Sequence, residues 1–355
     1  MSYRILSLDG GGMRGLLSAL LLERLARHEP RLLQNVDLIA GTSSGGLIAL
    51  GLAKGYSPGE LAQLFRTRAP QIFADSLLDD FADLGRLLGA DYDNRGLEAV
   101  ARDLLGDTTL GGLNKRVLIT AFDLNGSSSG GQGDNGSGNT RPARWRAKFY
   151  HNFPGTDSDA HEPAWQVALK TSAAPTYFPT YRGFADGALA ANNPALCALA
   201  QSQDRRSVSD PPRLQEVSLL SIGTGTVPRN IAGERHDWGV VQWARPLVDL
   251  LAAGDTGVVD YQCRAFLGDR YLRLNPLLPA GQRLPLDATH PRQLEWMESI
   301  AAGADITGAV AWLERYWREP YSSLPDDAPG RSPGSSLSDV EAPTEMERTS
   351  GGSSK

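Results

Sequence analysis

Histidine is scarce in this chain: five in 355 residues, at positions 28, 151, 161, 236 and 290. His28, His161 and His290 stand one or two residues before prolines, His151 ends a predicted strand, and His236 lies in a polar loop. None has the glycine-rich or acidic setting of a catalytic imidazole, so all five read as surface or turn residues. Cysteine is scarcer still. Cys197 and Cys263 fall in apolar helical patterns and read as small core residues of a reducing compartment, so no disulfide is expected between them. No apolar run is long enough to cross a bilayer, and the longest charge-free stretch in the N-terminal half, 38–53, is full of glycine and small polar residues. No secretory leader precedes the first strand pattern, so the expectation is a cytoplasmic protein. A net charge of −6 and a pI near 5.5 provide no general basic field for nucleic acid. No acidic cluster is spaced as a calcium loop, and neither a metal nor a cofactor is expected.

What the chain does have is glycine, in three ordered motifs. Asp9-Gly10-Gly11-Gly12-Met13-Arg14-Gly15 follows the apolar run 5–8. Gly41-Thr42-Ser43-Ser44-Gly45-Gly46 follows the apolar run 36–40, and Asp186-Gly187-Ala188 stands far downstream, with Asn192-Asn193-Pro194 close behind. The second motif is a G-x-S-x-G between a predicted strand and a helix over 47–53, the pattern of a nucleophile elbow. Its turn is tight enough that Gly41, Gly45 and Gly46 must be small, and it places Ser43 over the positive end of a helix dipole. Three consecutive glycines at 10–12 supply a run of backbone N–H groups suited to holding an oxyanion, with Arg14 stabilising that loop or meeting a lipid phosphate.

The first motif also fits the dinucleotide fingerprint through Gly10, Gly12 and Gly15, with Asp37 in place for a ribose hydroxyl. Against that reading, the second strand runs into the serine motif. A fingerprint followed by G-x-S-x-G fits acyl transfer better than hydride transfer.

In order and content these motifs resemble those of the patatin-like phospholipases. That family's D-G-G-G-x-R-G is matched over 9–15, its G-x-S-x-G over 41–45 and its D-G-A over 186–188. Residues 172–179 resemble the segment ahead of the family's aspartate, and 221–225 the strand end that follows it. The resemblance runs from about residue 5 to 225. It implies a three-layer α/β fold, with a mostly parallel central sheet flanked by helices, over a domain of 1–320. It implies a metal-independent lipid acyl hydrolase using a Ser43–Asp186 dyad, an oxyanion hole at Gly10, Gly11 and Gly12, and support from Arg14, Gly15, Gly41, Gly45, Gly187 and Ala188. The substrates implied are phospholipid or galactolipid esters, reached by peripheral contact with a membrane. The alternatives are a soluble esterase or thioesterase, an inactive lipid- or nucleotide-binding module, and the oxidoreductase above. A dyad needs no histidine. A carboxylate is a weak base near its ordinary pKa of ~4, and partial burial would raise it toward working pH.

Punctuation predicts the remaining organisation. Ser57-Pro58-Gly59-Glu60 starts a helix running to about Arg68 and stopping before Pro70. Residues 71–88 form a candidate amphipathic cap, and 115–123 and 144–150 a hairpin carrying a flexible Gly/Ser/Asn loop over 125–140. Helices are predicted over 163–174 and 195–203, and a strand over 214–222. A helical pattern over 238–267 is interrupted near Gly254 and Gly257, with Trp238, Trp243, Leu247, Leu250 and Leu251 as apolar anchors. A short strand at 271–274 and two helices near 291–302 and 308–317 follow, with Trp296, Trp312 and Trp317 read as core. The tail over 321–355 has few apolar residues and is expected to be disordered.

Overall fold

A computed structural model of the chain describes residues 2–73, 90–126, 144–226, 239–279 and 284–318. The candidate cap, the Gly/Ser/Asn loop, Trp238, His236 and the C-terminal tail lie wholly or mostly outside the described residues.

The first apolar run forms β1 (Tyr3–Leu8), buried along its whole length. A single 3-10 turn at Gly12–Arg14 leads into α1 (Gly15–His28). Then come β2 (Leu38–Gly41), α2 (Ser44–Lys54), α3 (Pro58–Ile72) and α4 (Arg95–Leu105). The predicted hairpin is β3 (Arg116–Asp123) with β4 (Arg146–His151). It is followed by α5 (Ala164–Ser172), β5 (Phe184–Asp186), α6 (Ala188–Ala191) and α7 (Ala195–Ser202). The chain continues as β6 (Val217–Ile222), α8 (Val240–Leu267), β7 (Tyr271–Leu274), α9 (Pro291–Gly303) and α10 (Thr307–Tyr316).

The strands form one sheet in the order β4-β3-β2-β1-β6-β7, with β5 also paired to β3. Only β4 and β5 run antiparallel, both against β3. Leu8 is in register with Gly41 on one side and Ile222 on the other, so β1, β2 and β6 end level. The turns that follow them therefore project from a single edge, where parallel sheets place their ligands.

Period-2 alternation divides the core between the two faces. Leu6, Leu8, Ile39, Val117, Ile119, Leu220 and Ile222 face a thick helical layer built from α1–α5, α9 and α10. Ile5, Leu38, Ala40, Leu118, Val217 and Leu219 face a thinner one built from α7 and the C-terminal half of α8. The expected three-layer α/β architecture results. In α1 alone, Leu16, Leu17, Leu21, Leu22 and Leu25 are fully buried, each contributing roughly 1.5–3 kcal/mol. Trp312 and Trp317 join this core, and the Trp317 indole N–H donates to Leu32 O at 2.9 Å. Cys197 and Cys263 are free thiols, Cys263 fully buried.

Local punctuation misplaces several boundaries. The third helix continues through Pro70, because a proline in the last turn removes only one hydrogen bond while Phe65 and Ile72 are held in the core. The strand expected from 214 starts at Val217, after a 3-10 turn over Leu214–Glu216. Gly254 and Gly257 do not interrupt α8, which runs unbroken for 28 residues. The apolar anchors expected on that helix also differ. Trp243, Leu247, Leu250 and Leu251 are exposed, and Val259, Cys263 and Leu267 fasten the helix to the sheet instead.

Among the described residues, a Cβ at Gly254 or Gly257 would meet no atom within 4 Å. Gly254→Ala and Gly257→Ala should therefore each raise stability, by about 0.5–1 kcal/mol, read from urea midpoints. A lowered midpoint in either variant would contradict the continuous helix.

Candidate active site

Two turns meet at the level edge of the sheet. The chain leaves β2, passes through Thr42 and reverses at Ser43, with φ 54° and ψ −124°, before α2 begins at Ser44. Positive φ at a non-glycine residue costs of order 1–3 kcal/mol and marks the strained elbow that a G-x-S-x-G predicts. The turn closes because its glycines have no side chains. A Cβ on Gly45 would sit 2.4 Å from Leu8 O and 2.5 Å from Asp9 O, and one on Gly41 would sit 2.3 Å from Gly45 O. The Ser43 N–H donates to Thr171 Oγ1 at 2.8 Å, and the Ser43 carbonyl accepts from Leu47 N–H at 3.0 Å inside α2.

Asp186 arrives from a distant segment that pairs with β3 just beyond β2. It ends β5, in antiparallel register with Ala121 of β3. Its N–H donates to Ala173 O at 2.9 Å and the Gly187 N–H to Thr171 O at 3.1 Å. Thr171 thus holds the serine backbone with its hydroxyl and the aspartate segment with its carbonyl. Gly187 and Ala188 follow, Gly187 lying directly against Thr120. The Ser43 hydroxyl donates to Asp186 Oδ2 at 2.7 Å, joining residues 143 positions apart. The second carboxylate oxygen, Oδ1, accepts the Ala188 N–H at 2.7 Å. Asp186 is 2% exposed. Burial pushes its pKa up to about 6, against the pull of the Ala188 N–H and the Ser43 hydroxyl.

The glycine loop lies beside this pair, and most of its polar groups are already engaged. Asp9 N–H donates to Ile222 O and Gly10 N–H to Asn192 O, both at 3.1 Å. Met13 N–H donates to Leu286 O at 2.7 Å. Arg14 turns back on the loop, its Nε donating to Gly11 O at 3.5 Å. Among the described residues, nothing accepts from the N–H groups of Gly11 and Gly12. Of the three glycines expected to act together, Gly10 thus has its donor directed into the fold. Gly15 packs against Phe65 and Ser44, where the loop enters α1.

These groups line a cavity of about 470 Å³ with Met13, Leu47, Phe65, Ile72, Phe73, Leu97 and Phe178. Phe73, Tyr92 and Phe178 pack ring on ring, with centroids 5.3–5.8 Å apart. The lining is apolar apart from a few convergent polar groups, the usual character of a site for a hydrophobic ligand.

Other candidates fall elsewhere. Asp37 Oδ2 accepts the Arg4 N–H at 2.7 Å, at the opposite end of β1 from the glycine loop, so Asp37 is not placed to bind a ribose beside Gly10. His151 is buried rather than on the surface, with burial lowering its pKa, and its Nε2 is 3.9 Å from Asp157. Among the described residues no histidine lines the cavity, no group of His, Cys, Asp and Glu is placed to hold a metal, and no helix is long and apolar enough to cross a membrane. Of the residues that support the two turns, Thr171 and Leu286 escape sequence reasoning, while Asn192 and Thr224 fall in segments it picks out, behind the aspartate motif and within 221–225, without a role being assigned to them.

A serine on a strand–helix elbow is thus hydrogen-bonded to a buried carboxylate beside a glycine loop and an apolar cavity. The family description patatin-like phospholipase matches residues 6–199, and the chain belongs to that family. Membership assigns it to the lipid hydrolases. The cGAMP-activated phospholipase of Pseudomonas aeruginosa (strain BWHPSA011 / Pa011) is 35% identical over 282 residues, spanning 77% of this chain and 78% of the relative. CotR of Bacillus subtilis (strain 168) is 29% identical over 346 residues, spanning 89% and 98%. Among solved structures, VipD from Legionella pneumophila aligns with a TM-score of 0.39 at 11% identity, covering 85% of this chain and 67% of that one.

Thr171→Val removes the acceptor of the buried Ser43 N–H while keeping side-chain volume. It should lower stability by about 1–3 kcal/mol in urea denaturation. An unchanged midpoint would mean that this hydrogen bond does not hold the turn.

Proposed function

We propose that the chain hydrolyses carboxylic esters of phospholipids or galactolipids, with Ser43 as nucleophile and Asp186 as base. The observation that carries this reading is the 2.7 Å hydrogen bond from the serine hydroxyl to a buried carboxylate. In this mechanism Asp186 takes the hydroxyl proton as Ser43 Oγ attacks the ester carbonyl carbon. The carbonyl oxygen becomes an oxyanion, received by the N–H groups of Gly11 and Gly12, each worth about 3 kcal/mol of barrier. The Gly10 N–H, already donated to Asn192, shapes the loop. The first turn of α2 adds its dipole to the same charge.

Collapse of the tetrahedral intermediate expels the alcohol, which takes the proton from Asp186. A water then gives its proton to Asp186 and attacks the acyl-serine. The second collapse returns the proton to Ser43 Oγ and frees the fatty acid. No step calls for an imidazole, a metal or a cofactor. Phe65, Phe73, Leu97 and Phe178 supply an apolar wall for the acyl chain, which favours a lipid over a short polar ester. The protein would work from the aqueous side of a lipid surface in the cytoplasm. Comparing turnover of phospholipid vesicles with that of soluble nitrophenyl esters distinguishes this reading from a soluble esterase or thioesterase.

Ser43→Ala should abolish both hydrolysis and fluorophosphonate labelling, with losses of about 10⁴-fold or more and the fold intact by circular dichroism. Asp186→Asn should lose about 10²–10⁴-fold, the usual scale of general-base catalysis. Near-native rates in either variant would falsify the assignment of that residue.

The base must be ionised, so kcat/KM should fall as pH is lowered through about 6, where Asp186 takes up a proton. A profile flat down to pH 5, or one descending from pH 6 upward, would place the base elsewhere.

A further inference from the structure

The glycine loop is supported largely by residues beyond the matched segment 6–199. Thr224 Oγ1 donates to Gly10 O at 3.1 Å, and a Cβ on Gly11 would overlap the Thr224 side chain at 2.3 Å. Leu286 O receives the Met13 N–H. The strongest of these supports is electrostatic. Arg273 stands on β7 opposite Ser221 of β6, which is itself opposite Ser7 of β1. From two strands away its guanidinium grips both oxygens of Asp9, the residue that opens the loop. One nitrogen reaches Oδ1 at 2.8 Å and Ser221 Oγ at 2.7 Å, and the other reaches Oδ2. Both side chains are almost wholly buried, at 7% and 4% exposure.

Asp255 of α8 braces the facing segment, its Oδ2 accepting the Asn193 N–H at 3.0 Å. Asn192, next in the chain, receives the Gly10 N–H. The loop is therefore pinned before Gly10 by Asp9 and alongside it by Asn192.

We propose that Arg273 is a positioning residue for the ester hydrolysis, fixing through Asp9 the direction in which the Gly11 and Gly12 N–H groups face the carbonyl attacked by Ser43. The inference rests on the Ser43–Asp186 reading. Its physical basis is the fork geometry. Two parallel hydrogen bonds define an orientation, whereas a lysine ammonium in the same place supplies charge without defining one. Displacement of catalytic donors by an ångström is enough to cost about 10²-fold in rate.

The test is steady-state hydrolysis of 4-nitrophenyl butyrate, with inhibition by an aryl trifluoromethyl ketone, which forms an oxyanion on the serine. Arg273→Lys should lower kcat about 10–100-fold with KM within about twofold of wild type, and weaken the ketone by the same factor as kcat/KM. Wild-type kcat in the folded variant, or a rise in KM alone, overturns the proposal. Should Arg273→Lys fail to fold, the double variant Asp9→Asn with Arg273→Met decides, since replacing both members of a buried ion pair is often tolerated. A folded double variant with low kcat and weak ketone binding supports positioning, and one with wild-type kcat reduces the pair to a stability element. Ser43→Ala is assayed alongside. Turnover in that variant overturns the dyad and this inference with it, whereas an inactive Ser43→Ala beside a fully active Arg273→Lys overturns this inference alone.

Discussion

Where the first turn of α2 crosses the end of β1, backbone lies on backbone. Gly45 touches the Leu8 and Asp9 carbonyls with no side chain between them, and any Cβ there would lie closer than atoms tolerate. That contact fixes the distance between two turns that belong to different βα units. The level register of Leu8 with Gly41 makes the approach available, and the two glycines of the serine motif make it close. Ser43 then has one place to go. It occupies a strained conformation because the turn has no room for a relaxed one, and the strain is balanced by Thr171 and by the first hydrogen bonds of α2.

A carboxylate facing that serine without an imidazole between them raises a question of basicity. An exposed aspartate is ionised at neutral pH but holds a proton too weakly to remove one from a hydroxyl efficiently. Burial changes this. With its pKa pushed up to about 6, Asp186 gains proton affinity equivalent to roughly 3 kcal/mol relative to a solvated carboxylate. The sign of the stability effect follows. The folded state holds this proton more tightly than the unfolded state, so its relative stability declines as pH rises from about 4 to about 6 and is then constant. The fold carries a modest destabilisation at neutral pH and, on the proposed Ser43–Asp186 mechanism, receives a stronger base in return. The Ala188 N–H limits the shift, keeping the carboxylate ionised where a fully desolvated one would be protonated.

The site was more legible in the sequence than the periphery of the fold. The places of Ser43, Asp186 and the three glycines at one edge are legible because each occupies a backbone position that admits few residue types, and such restriction leaves short, recognisable strings; the inward direction of the Gly10 N–H is not legible there. The sheet order is not readable, although all its strands but β5 are, since register and crossover are properties of pairs of segments. Errors gathered where a local rule met a tertiary one. Pro70 should stop a helix, yet Phe65 and Ile72 hold that helix in the core; Gly254 and Gly257 should break one, yet Val259, Cys263 and Leu267 carry it past them. His151 was misjudged because a histidine's neighbours in sequence do not reveal whether a sheet and a loop will close over it.

The supports of the glycine loop were missed for a related reason. Thr224, Arg273 and Leu286 act through one hydroxyl, one fork and one carbonyl, and none of these needs a fixed neighbour in sequence. A carbonyl can come from any residue, so Leu286 leaves no trace in composition at all. The requirement they meet is nevertheless strict. A loop whose N–H groups are to receive a developing charge must leave some of them without partners inside the protein, and unpaired donors give the loop nothing to hold it in place. Its shape must then be enforced by the groups around the unpaired donors. Asp9, Gly10 and Met13 are bound on either side of Gly11 and Gly12, and every one of those bonds reaches out to a distant segment. The motif provides donors that stay open among the described residues, and the rest of the chain, including the part beyond residue 199, provides the rigidity that the proposed oxyanion role requires of them.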